Sequence, residues 1–94
     1  MILTPLYQTG SSRTGTLNCT YDELVAVLGF TDNATKLDDT YKVKARWGFV
    51  DEKGRQGFIW CYKHSGSMKT CTYWSTDGDK TLLTELFGDK FTSY

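Results

Sequence analysis

The chain has no excess of either charge: eleven Lys and Arg balance eleven Asp and Glu over 94 residues. Any electrostatic preference must therefore be local, which excludes both the broad positive field of a general nucleic-acid binder and the negative field of a nucleic-acid mimic. No apolar run approaches the ~20 residues that a membrane-crossing helix needs. Met1-Ile2-Leu3 leads to Pro5 and a Gly/Ser stretch in place of a long apolar signal core, and Cys19, Cys61 and Cys71 are odd in number and irregular in spacing. These features point to a reducing cytoplasm with no membrane association. Without a secretory signal, Asn18-Cys19-Thr20 and Asn33-Ala34-Thr35 read as chance glycosylation matches.

Catalytic signatures are missing as well. There is no Gly-rich phosphate loop, no Gly-x-Ser-x-Gly elbow and no His-Glu-x-x-His pair. His64 is the single histidine, so acid/base chemistry near neutrality would fall to it first, but its neighbours Ser65-Gly66-Ser67 read as a solvated turn. Cys61, His64 and Cys71, with Cys19, are soft ligands, yet they lack the paired C-x-x-C knuckles that aim two thiolates at one ion. The expectation is no enzyme, no cofactor and no metal.

What the chain does have is bulk. Hydrophobic residues are 39% and aromatics 15%, enough for one modest core, and residues 1–94 have room for a single domain. Tyr41 to Tyr62 reads as a β-hairpin turned at Asp51-Glu52-Lys53-Gly54, which sets Trp47 opposite Phe58, Ala45 opposite Trp60 and Val43 opposite Tyr62. On that register these aromatics share the inward face, while Lys42, Lys44 and Arg46, with Ile59, Cys61 and Lys63, face out.

Around this hairpin, Ile2 to Tyr7 suits a short edge strand weakened by Pro5, and Gln8 to Gly15 a loop, or a hairpin turn if Thr16 and Leu17 return as a strand. Thr20 followed by Glu23 makes a capping box and Gly29 a left-handed stop, which predicts a helix whose stripe is Leu24, Val25 and Leu28. Lys69 to Trp74 is expected as a third strand. A four-residue turn His64-Ser65-Gly66-Ser67 would place Cys71 and Tyr73 on the apolar face, and a one-residue slip would turn Cys61 toward Cys71. Asp79 to Phe87, with capping candidates Ser75-Thr76-Asp77 and a stop at Gly88, reads as a second helix. The predicted fold is α+β, an antiparallel three- to four-stranded sheet with two short helices packed on one face.

Two surfaces are candidates for binding. Arg13, Arg46, Tyr73, Trp74 and Tyr94 are the aromatic and Arg anchors from which a protein contact is commonly built. Lys42, Lys44, Arg46 and Lys63 form a basic stripe that could track phosphates of a nucleotide or nucleic acid, although alternating Lys on an exposed face also protects a sheet from aggregation. The tail Phe91-Thr92-Ser93-Tyr94 either docks on the core or presents an anchor. Short sheet edges could also pair with a second copy, giving a homo-oligomer.

Tyr21-Asp22-Glu23-Leu24-Val25-x-x-Leu28-Gly29, then Tyr41-Lys42-Val43-x-x-x-Trp47, Gly57-x-Ile59-x-x-Tyr62-Lys63 and Tyr73-Trp74-Ser75, resembles small proteins encoded in phage genomes. The likeness covers Tyr21 to Trp74 and departs in Thr31 to Asp39 and in the amino-terminal loop. Such proteins are similar in kind to inhibitors of bacterial defence systems, anti-CRISPR proteins among them, which act by occupying a partner's surface. The resemblance implies a non-enzymatic module in the host-cell cytoplasm, whose partner is a host defence protein or complex.

Overall fold

The computed structural model describes residues 2–6, 12–31, 43–62 and 71–94. Its architecture is α+β. Six strands, β1 (Leu3–Pro5), β2 (Gly15–Asn18), β3 (Val43–Asp51), β4 (Gln56–Tyr62), β5 (Tyr73–Gly78) and β6 (Phe91–Ser93), pair antiparallel in the order β1-β3-β4-β5-β2-β6. Two helices, α1 (Tyr21–Leu28) and α2 (Lys80–Phe87), complete the fold, and a 3-10 turn at Gly88–Lys90 links α2 to β6. The sheet is larger than the predicted three to four strands because β2 and the tail strand β6 join it. β2 sits between β5 and β6 and makes no hairpin with β1.

The β3–β4 register differs by one residue from the sequence expectation. Gly54 has φ +83° and its N–H donates to the Asp51 carbonyl (3.1 Å), while the Asp51 N–H donates to the Arg55 carbonyl (3.0 Å). Asp51 therefore closes on Arg55 instead of Gly54, the bulged form of a short hairpin loop in which a left-handed glycine adds one residue. Trp47 now faces Ile59 and Ala45 faces Cys61, and a bulge between Val43 and Ala45 restores the expected Val43–Tyr62 pair. The change moves every intervening side chain. Trp47, Phe49, Ile59 and Cys61 point into the core, whereas Phe58 and Trp60 lie on the opposite face with Arg46. The expected sharing of one face by Trp47, Phe58 and Trp60 is thus overturned.

The Asp51 carboxylate makes this turn rigid. It is buried and accepts from the backbone N–H of Lys53 (3.0 Å) and of Arg55 (2.8 Å), and from Arg55 Nε (2.7 Å). Arg55 then reaches Glu85 of α2 at 2.9 Å, tying turn to helix. Burial pushes the Asp51 pKa up, but the Arg55 side chain and the two backbone donors outweigh it and hold the carboxyl below its ordinary value.

Helix α1 forms as its caps dictate. Thr20 accepts from the Glu23 N–H and Glu23 from the Thr20 N–H, and Gly29 ends the helix at φ +89°. Its two ends are held by the two inward tryptophans: Trp74 Nε1 donates to the Cys19 carbonyl (2.8 Å) and Trp47 Nε1 to the Phe30 carbonyl (3.0 Å). The two indoles meet edge-on at 5.5 Å, and Tyr21 stacks obliquely on Trp47 at 5.2 Å. Leu24 and Leu28 of α1 and Leu82, Leu83 and Phe87 of α2 enter the same core. Helix α2 is capped by Asp79, which accepts from the Leu82 N–H (2.9 Å); the expected cap residues Ser75, Thr76 and Asp77 instead form β5.

β5 also begins later than predicted, at Tyr73, and pairs Ile59 with Thr76 and Trp60 with Ser75. Trp74, not Tyr73, faces inward. The cysteines match neither alternative in full: Cys61 Sγ lies 2.6 Å from Cys71 Sγ, as the slip predicts, but both are in the core, where the slip would have turned them outward, and Tyr73 is exposed.

Two predictions follow from the turn and its sheet. A Cβ at Gly57 would stand 2.5 Å from the Phe49 ring, so Gly57→Ala is expected to cost about 1–3 kcal/mol in denaturant unfolding. Because the folded pKa of Asp51 is depressed, its stabilisation is present above the unfolded value of about 3.9 and is lost as pH falls through the folded value. Wild-type stability should fall below about pH 4 more steeply than that of Asp51→Asn in parallel acid titrations.

Candidate functional site

β2 brings residues from three neighbouring strands to one place. Arg13 precedes β2, Tyr73 starts β5 opposite Asn18, and Tyr94 follows β6 with its N–H donating to the Thr14 carbonyl (3.0 Å). Tyr73 is 54% and Tyr94 65% exposed, sizeable for aromatic side chains, and Arg13 is exposed between them. The Arg13 guanidinium carbon lies 6.0 Å from the Tyr73 ring centroid and 5.5 Å from that of Tyr94. Both rings attract the cation through their quadrupoles. Neither removes its charge, so the cluster is apolar at its flanks and positive at its centre. At its border Lys80 Nζ donates to the Tyr94 main-chain oxygen (3.1 Å).

The other two nominated anchors do not belong to this patch. Trp74 is 0% exposed, because inward alternation puts it beneath α1 with its indole N–H already used. Arg46 is on the expected face, opposite the helices, but is 3% exposed: the register change brings Phe58 and Trp60 onto that face, with Trp60 directly opposite Arg46. That face is partly covered: Ser12, just before β2, donates its N–H to Asp77 Oδ2 (3.1 Å), and Asp77, Ser75, Thr16 and Phe58 are all buried. Arg46 is therefore not part of a solvated basic stripe. Of the remaining stripe, Lys42 and Lys63 lie outside the described residues, as does the Lys44 side chain.

A second concavity lies between α1 and α2. It has a volume of about 310 Å³, an apolar lining from Ala26, Val27, Leu86 and Phe87, and an ion pair between Glu23 and Lys90. Cys19 also lines it, and burial pushes this thiol up to about 11, with the nearby Lys90 acting weakly in the other direction. A thiol so shifted is protonated at neutral pH and a poor nucleophile.

Among the described residues, no three His, Cys, Asp or Glu side chains converge as metal ligands, and no helix is long and apolar enough to cross a membrane. His64 lies outside the described residues. The chain matches no protein-family model, and neither a curated protein nor a solved structure is significantly similar to it. The site must be read from its own geometry.

Sequence reasoning named Arg13, Tyr73 and Tyr94 individually but not as neighbours. The missing signal was the pairing of the tail with β2, which places position 94 beside position 14. Replacing Trp74 with Ala is expected to cost about 3–5 kcal/mol of stability, as for other large-to-small core changes. Arg13→Ala, Tyr73→Ala and Tyr94→Ala should each cost under about 1 kcal/mol by the same thermal or denaturant melt.

Proposed function

We propose that this chain is a non-enzymatic protein-binding module whose docking centre is the Arg13–Tyr73–Tyr94 patch. The observation that carries the reading is the placement of one guanidinium between two exposed tyrosine rings. Arg and Tyr are the residue types that dominate protein contacts, and here they are pre-positioned, which lowers the entropy lost on binding. The chemistry recognised is a carboxylate set among apolar groups: the carboxylate meets the in-plane donors of Arg13, and the apolar groups cover the tyrosine rings. On the resemblance to small phage-encoded proteins, the partner is a component of a bacterial defence system and the action is occlusion of its surface, as in anti-CRISPR inhibitors. That part of the reading rests on the resemblance and not on the site.

The test is quantitative affinity capture from bacterial lysate, comparing wild type with Arg13→Ala and with the Tyr73→Ala/Tyr94→Ala pair, each first shown to be folded. At least one host protein should fall in recovery by about tenfold or more with both variants and change little between low and moderate salt. Equal recovery on all three proteins would overturn the proposal. Co-purifying nucleotide or nucleic acid, lost steeply with salt and unaffected by the tyrosine changes, would favour phosphate capture through Lys42, Lys44 and Lys63.

A further inference from the structure

No disulfide joins the three cysteines, and two of them meet. Cys61 is on the inward side of β4 and Cys71 lies two residues before β5, so the sulfurs flank the link between these strands. They are 2.6 Å apart, roughly half an ångström more than a disulfide bond of about 2.05 Å. The Cys71 thiol also donates to the Tyr73 carbonyl at 3.3 Å. The fold therefore prepays most of the cost of bringing the two sulfurs together, which an unfolded chain would have to meet as loop entropy.

We propose that Cys61 and Cys71 are a redox-responsive dithiol that closes to an intramolecular disulfide by exchange with a low-molecular-weight disulfide such as oxidised glutathione. One protein thiolate attacks a glutathione sulfur, its S–S bond breaks, and one glutathione leaves as thiolate and takes up a proton. The second protein thiolate then attacks the protein sulfur of the mixed disulfide and releases the other glutathione in the same way. Two electrons pass from the protein sulfurs to glutathione, and the protein loses two hydrogens. Cys19 takes no part. Its sulfur makes no hydrogen-bond contact with Cys61 or Cys71, unlike theirs with each other, and burial keeps it protonated.

The experiment incubates the folded, reduced full chain with a series of oxidised-to-reduced glutathione ratios, quenches with acid, and alkylates the remaining thiols in denaturant. Intact mass and peptide mapping then read the products. The expected species is a monomer lighter by two hydrogens, with one alkylated thiol, mapped to Cys19, and a Cys61–Cys71 linkage. The ratio needed for half-oxidation should be at least about tenfold less oxidising for the folded chain than for the same chain in urea. Cys19→Ser should behave as wild type with no thiol left. Three alkylated thiols, a persistent glutathione adduct, a linkage that includes Cys19, or equal half-oxidation ratios folded and unfolded would each overturn the proposal. Because mapping is done on the wild-type protein, the result does not depend on a Cys61 or Cys71 variant folding.

Discussion

A single buried carboxylate decides which residues of β4 share the inward face with Trp47 and Phe49 of β3. Asp51 accepts three hydrogen bonds from residues 53 and 55, and these fix a turn in which Gly54 is left-handed and Asp51 pairs with Arg55. A strand has a side-chain period of two, so the residue that this turn adds to the loop sends Trp47 and Ile59 inward together and Phe58 and Trp60 outward. Gly57 fits the same register, since it lies opposite Phe49 and leaves room for that ring. A fully hydrogen-bonded buried carboxylate tolerates little displacement, because each lost donor would leave buried charge less well satisfied.

The inward choice of Trp47 and Trp74 then positions α1. An eight-residue helix is marginal alone, and its capping box and Gly29 set only where it starts and stops. Its placement on the sheet comes from two indole N–H groups, one bonded to the carbonyl just before the helix and one just after it. The turn sets which residues of β4 pack beside Trp47 on the inward face, and the two indoles set where α1 lies on that face, so turn, core and helix are linked through Trp47.

This linkage explains what was legible in the sequence and what was not. Helix α1 was readable because its capping box, stripe and stop glycine are local signals, and Thr20, Glu23 and Gly29 stand where they were expected; α2 was readable from its apolar residues and Gly88, although its cap is Asp79 and not the expected Ser75-Thr76-Asp77. The strand class of Tyr41 to Tyr62 was readable from alternation, but alternation is blind to a one-residue offset. The information that settles the offset is the Asp51-x-x-Gly54 pattern, whose bulged geometry has to be applied before the pairing is counted. β6 was unreadable as a strand because three residues carry no period, and it forms only where β2 offers a partner. The same long-range pairing hid the patch: Arg13 and Tyr94 are far apart in sequence and become neighbours through β2 alone.

The two sheet edges and the Arg13 patch differ in what they expose. Each edge strand, β1 and β6, is three residues long, and β1 carries Pro5, which offers no N–H. Such edges offer little backbone for another strand to pair with, whereas the patch exposes side chains. Arg13 and the two tyrosines lie beside one edge, where Tyr94 is bonded through both its N–H and its main-chain oxygen. Tyr73 is also the residue whose carbonyl accepts from the Cys71 thiol. Oxidation of Cys71 necessarily removes that donor, because the sulfur's hydrogen is lost. Tyr73 thus belongs to both proposals: its ring is part of the proposed docking patch and its carbonyl is the acceptor of the buried Cys71 thiol, so closing the proposed disulfide would release a hydrogen bond at the rim of that patch.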